Sequence, residues 1–95
     1  HLKSWEIIEY AHDEKIDAVS GTARELANRL VVYGPPDHRI DLDAFVGDNR
    51  SRGATIEGTQ VHALRLPGMV AGFEIIFGQG HERLTIKHEA LTRAE

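Results

Sequence analysis

Cysteine is absent from the 95 residues of this chain. Its absence excludes a disulfide framework, a thiolate nucleophile and a zinc knuckle, and it fits a reducing, cytoplasmic setting. No signal peptide is visible and no apolar run is long enough to span a bilayer, so no membrane partner is expected. Positive charge is not in excess: 11 Lys and Arg face 15 Asp and Glu, for a net charge of -4. That balance argues against nucleic acid and acidic membranes as partners, while leaving room for a local basic pocket that takes an acidic metabolite. Internal repeats and low-complexity segments are also missing. The length predicts one domain, residues 1–95, rather than two. A chain of this size hides roughly 60–65% of its unfolded surface, so assembly or docking on a neighbour would support its small core. It opens on His1 rather than Met and stops at Thr92-Arg93-Ala94-Glu95, which reads as a piece of something longer.

What is present centres on residues 9–23. There Glu9-Tyr10-Ala11-His12 runs into the polar stretch Asp13 to Asp17, and Ser20-Gly21-Thr22-Ala23 opens an amphipathic segment. Ala23, Leu26, Ala27, Leu30 and Val31 fall on one stripe at helical spacing, with Arg24, Glu25, Asn28 and Arg29 opposite. Ser20 is placed to cap this helix, and Gly34-Pro35-Pro36 to stop it. A helix start carries unpaired N–H groups and about +0.5 of a charge. Glycine at Gly21 allows close approach to the backbone, and the Thr22 hydroxyl adds a donor. Ser20, Gly21 and Thr22 therefore read either as an ordinary cap or as a site for a carboxylate or phosphate, with the Lys15 ammonium and His12 close enough in sequence to join it.

The remaining elements follow from pattern. Ser4 to His12 reads as a strand buried on both faces, carrying Trp5, Ile7, Ile8 and Tyr10. Val61 to Leu66, Gly72 to Phe77 and Glu82 to His88 read as three more, punctuated by Pro67-Gly68 and Gly78-Gln79-Gly80. In the last, Leu84 and Ile86 alternate with Arg83, Thr85 and Lys87, as in an antiparallel sheet. Residues 37–60 resist assignment. Ile40, Leu42, Phe45 and Val46 fit a short helix or an extended segment, and a connection this long is usually functional or covered by a neighbouring subunit. The order predicts an α+β fold: a small mixed, mostly antiparallel four-stranded sheet with helices on one face.

The stretch EYAHDEKIDAVSGTA at residues 9–23 resembles a motif that runs roughly E-x-H-H-x-x-K-x-D-A-P-S-G-T-A. It belongs to the C-terminal domain of 4-hydroxy-tetrahydrodipicolinate reductase (dihydrodipicolinate reductase), a family of lysine (diaminopimelate) biosynthesis. RGATIEGTQVHALRLPGMVAGFEIIFG at 52–78 and ERLTIKHEALTR at 82–93 are similar to the family's later strands in the same order. The likeness covers nearly the whole chain and is weakest over residues 33–50. It implies a domain that binds a cyclic imino dicarboxylate and builds a homotetramer through its sheet. It also implies that NADH or NADPH is bound mainly by a separate, preceding nucleotide-binding domain; the Gly-rich fingerprint of such a domain is missing here and Gly78-Gln79-Gly80 opens no helix, so this chain is not expected to hold the cofactor alone. Carried over by position, Lys15 resembles the catalytic proton donor. His12 resembles a histidine that contacts a substrate carboxylate, and Gly21 and Thr22, led in by Ser20, resemble the pair that grips the same group. A positioned lysine suits proton delivery to a C=N bond undergoing reduction, and an ammonium beside a carboxylate makes a strong hydrogen bond.

Two positions depart from the motif. Val19 replaces a proline, which loosens the turn. Ala11 replaces the first histidine, usually assigned as a catalytic acid. With that group gone, either Lys15 suffices, or the substrate is a related amino or imino acid, or the chain keeps only a binding and assembly role. Simpler readings stand beside the rest. Lys15 alone is a solvated charge, and Asp17 either orients Lys15 or caps locally. Arg50 and Arg52 read as loop charges, Arg65 and Arg83 as interface or surface pairs. Phe73, Ile75, Ile76 and Phe77 read as core or interface. The six histidines lie on different elements without metal-ligand spacing, so no metal is expected.

Overall fold

The computed structural model describes residues 2–92. Five strands appear among them: β1 (Ser4–Ala11), β2 (Ala54–Ile56), β3 (Thr59–Arg65), β4 (Ala71–Gln79) and β5 (Glu82–Ala90). They form one sheet in the order β2-β3-β1-β4-β5. β1 runs parallel to β3 and antiparallel to β4, and the other pairings are antiparallel. The α+β class, the mixed sheet and its mostly antiparallel character agree with the expectation; the strand number does not. The extra strand, β2, lies inside the unread stretch 37–60. Its three residues are too few to show alternation, and only pairing with β3 makes them a strand.

A single α-helix, α1 (Gly21–Leu30), is present among the described residues, so one helix rather than several covers the sheet. Ile7, Val61 and Ile75 stand side by side across β3, β1 and β4 and form the buried core with Val19, Ala23 and Ala27. The two alanines present little bulk, which lets the helix lie close to the sheet. After Leu30 the chain tightens into a 3-10 turn, Val31–Tyr33, and breaks at Gly34, whose φ is +119°. Few residues other than glycine adopt that angle readily.

The Ile40–Val46 segment is neither helix nor strand but one 3-10 turn, Leu42–Ala44, between extended residues. The residues ahead of it are tied to the start of β1 and to the β2–β3 turn. The Asp37 N–H donates to Lys3 O at 2.8 Å, the Ser4 hydroxyl donates to Asp37 O at 3.0 Å, and His38 Nε2 lies 2.6 Å from Gly58 O. Arg52 stacks over Phe45 at 5.3 Å and forms an ion pair with Glu6. His62 Nε2 lies 2.6 Å from the same Glu6 carboxylate. Burial pushes the Glu6 carboxyl up, but the Arg52 and His62 hydrogen bonds and charges outweigh it, and its pKa falls below the ordinary range.

Candidate functional site

β1 ends at Ala11, and the chain leaves the sheet through a turn in which Lys15 N–H donates to His12 O at 3.3 Å. This turn folds Lys15 back beside His12. The Glu14 N–H donates to His12 Nδ1 at 3.2 Å. With Nδ1 accepting, the proton of a neutral imidazole sits on Nε2, which is left to donate. Lys15 Nζ lies 2.9 Å from the Asp17 carboxylate, and the lysine side chain is 34% exposed. That hydrogen bond holds the Asp17 carboxyl below its usual range.

Helix α1 then starts with its N-terminal amides only half satisfied. Of its first four N–H groups, Ala23 donates to Ser20 Oγ at 3.2 Å and Arg24 to Ser20 O at 3.0 Å. The amides of Gly21 and Thr22 make no hydrogen bond among the described residues, and both residues are exposed. Ser20 therefore uses both its oxygens as the cap. Two adjacent N–H groups at the positive end of the helix dipole stay open.

These parts meet in one cleft of about 670 Å³. Lys15, His12, Ser20, Gly21 and Thr22 all line it, so the structure brings every candidate residue to one place. Ala11 lies in the wall as a bare methyl. The rest of the wall comes from Glu9, Tyr10, Gly72, Phe73 and His88, among others. Tyr10 is buried, and its hydroxyl donates to His88 O at 3.3 Å; burial pushes the phenol pKa up. The His88 ring stacks on Phe73 at 5.6 Å. Phe73 thus lines the cleft, besides the core role expected of it.

Arg65 is more engaged than a surface pair. It grips the buried Glu9 carboxylate through two hydrogen bonds, 2.9 and 3.2 Å, and its side chain is only 16% exposed. The same guanidinium donates to the carbonyls of Asp17 at 2.6 Å and Lys15 at 3.3 Å. Position in sequence does not reveal this: Arg65 reaches across more than forty residues, and only the parallel pairing of Ala11 with Arg65 makes the reach possible. No group of three or more metal-ligating side chains is assembled among the described residues.

A mixed sheet crossed by one helix, with a lysine, a histidine and a helix start bearing two open amides lining one cleft, defines a small α+β domain. The chain belongs to the dihydrodipicolinate reductase family: the family model for its C-terminal domain matches residues 2–95. The 4-hydroxy-tetrahydrodipicolinate reductase of Lactiplantibacillus plantarum is 43% identical over 88 residues, covering 93% of this chain and 34% of that protein. The Geobacillus thermodenitrificans protein of the same name is 42% identical over 91 residues, covering 93% and 33%. A structure described as dipicolinate-bound dihydrodipicolinate reductase from Paenisporosarcina sp. TG-14 superposes with a TM-score of 0.75 at 33% identity, over 95% of this chain and 34% of that one. The chain spans about a third of the length of these relatives.

Proposed function

We propose that residues 1–95 form one substrate-binding and catalytic domain of an NAD(P)H-dependent 4-hydroxy-tetrahydrodipicolinate reductase of lysine biosynthesis, acting in the cytoplasm. The observation that carries the proposal is the pair of open amides at Gly21 and Thr22, in the same cleft as Lys15 and His12. One carboxylate of a cyclic imino dicarboxylate is received by those amides and the Thr22 hydroxyl. Ser20 sets their direction by capping the helix, and His12 Nε2–H donates to a carboxylate. Lys15 supplies the proton that reduction of the C=N bond requires. The relative crystallised with dipicolinate, a ring bearing two carboxylates, supports this ligand class.

Among the described residues no glycine-rich turn leads from a strand into a helix, and Gly78-Gln79-Gly80 falls at the β4–β5 hairpin. NADH or NADPH, the hydride source, is assigned mainly to a separate nucleotide-binding domain of the whole protein. Homotetramer assembly through the sheet is part of the proposal. It is supported by Leu64, Leu84 and Ile86, large apolar side chains that the sheet leaves uncovered.

The Ala11 methyl favours a second reading, in which the same cleft serves a related amino or imino acid, or binds a dicarboxylate without turning it over. Turnover assays on the full-length protein decide. With the cyclic imino dicarboxylate as substrate, Lys15→Ala should lower kcat by about 10²–10⁴-fold. Wild-type turnover in that variant would remove Lys15 from the chemistry. Turnover of another imino acid alone would select the related enzyme, and binding of pyridine-2,6-dicarboxylate without any turnover would select the binding module.

A further inference from the structure

We infer that Arg65 is a positioning residue for Lys15, acting through the backbone of the loop that carries it; the inference rests on the reading of Lys15 as proton donor. Between Asp13 and Ala18 every residue except Lys15 is exposed, so burial does little to hold this loop. What holds it is a short list of hydrogen bonds. Two are local, from Lys15 N–H to His12 O and from Glu14 N–H to His12 Nδ1, at 3.3 and 3.2 Å. The others come from one side chain, as Arg65 Nε donates to Lys15 O and Nη2 to Asp17 O.

The guanidinium that reaches these two carbonyls is itself fixed. Glu9, with its side chain 4% exposed on the central strand, accepts from both Nη1 and Nη2. Nη1 also donates to Leu64 O at 2.8 Å. A planar fork with five donors can meet a carboxylate and three carbonyls at once, whereas an ammonium on a flexible stem cannot hold the same set. The sheet thereby sets the position of the Lys15 Cα from its C-terminal side, through its own carbonyl and the carbonyl two residues on, that of its Asp17 partner. Gly21 and Thr22 need no such support, because Ser20 and the packed helix fix them. The chemistry therefore depends on Arg65 for placement of the ammonium but not for the grip on the carboxylate. Displacement of a reacting group by about 1 Å can cost about 10²-fold in rate.

The test uses the full-length protein and the variant Arg65→Lys, which keeps a positive charge beside Glu9 and loses the fork. Amide hydrogen exchange over residues 12–19 should accelerate about tenfold or more, with β1 and α1 unchanged. In turnover, kcat should fall by about 10- to 100-fold while KM for the dicarboxylate moves less than about threefold. In a Lys15→Ala background the same change should add no further loss, because two residues acting through one group are not additive. If Arg65→Lys does not fold, Glu9→Gln releases the anchor instead and should give a smaller loop acceleration of the same pattern. Unchanged exchange in the loop overturns the inference, and so does a loss that multiplies with that of Lys15→Ala. A fully active Lys15→Ala protein overturns the reading of Lys15, and the inference with it.

Discussion

Lys15 Nζ and the Asp17 carboxylate lie 2.9 Å apart, on a loop whose backbone is held by Arg65. Asp17 is solvent-exposed, so the worth of the pair to stability is small. On the proposed role of Lys15 as proton donor, its worth to function is directional, since the carboxylate restricts where the ammonium points. Asp17→Asn should leave the melting temperature within about 2 °C of wild type and lower kcat several-fold in the full-length protein. A kcat equal to wild type would show that Asp17 is a bystander.

Two neighbouring hydroxyls at the helix start should separate cleanly. Ser20 Oγ is spent on the Ala23 amide, so Ser20→Ala should cost about 1 kcal/mol of stability through the lost cap. Thr22 is exposed and makes no side-chain hydrogen bond among the described residues. Thr22→Val should therefore leave stability nearly unchanged and raise KM for the dicarboxylate. Denaturant unfolding of both variants, set beside their KM values, checks the contrast. An unchanged KM in Thr22→Val would count against the carboxylate grip.

Gly72 is required for room rather than for backbone angle. A Cβ there would run into the Tyr10 ring from β1 and the His88 carbonyl from β5. Gly72→Ala should destabilise by about 1–3 kcal/mol, the usual result of overpacking. Adding Tyr10→Leu should restore part of the loss, because one of the two obstacles is then gone. A wild-type denaturation midpoint for Gly72→Ala alone would show that the ring yields freely.

Glu6 makes acid stability a readable quantity. Its folded pKa lies below its ordinary value of 4.5 because Arg52 and His62 outweigh the effect of burial. The unfolded chain therefore binds the proton first as pH falls, and folding stability declines with it. The Glu6 contribution should be fully present above about pH 5 and should be lost as pH drops through 4.5 toward the folded value. Comparison of unfolding free energies against pH for wild type and Glu6→Gln isolates it. The variant should show a shallower decline on the acid side, and parallel curves would contradict the assignment.

The local parts of the site were legible in the chain because they depend on neighbours. Ser20 caps an amide three residues away, and the Ala23, Leu26, Ala27, Leu30 spacing declares its buried face within ten residues. β1, β3, β4 and β5 were legible for the same reason, as apolar runs between turn signals. β2 was not, because three residues carry no period, and the Ile40–Val46 segment was not, because its apolar residues follow neither a helix nor a strand repeat. Arg65 read as an interface or surface pair, since nothing near it in sequence suggests that a buried Glu9 awaits it.

The amino-acid order alone determined the Ser20-capped helix start, the presence of Lys15 and His12 ahead of it, and the family to which the chain belongs. Tertiary structure decided what those residues are fastened to. Parallel registration of β1 with β3 brings Ala11 level with Arg65; antiparallel registration with β4 brings Tyr10 level with Gly72. The division has a physical reason. Caps and turns close over three or four residues and are set by local chemistry, whereas a guanidinium finds carbonyls some fifty residues back only after the sheet has fixed its register.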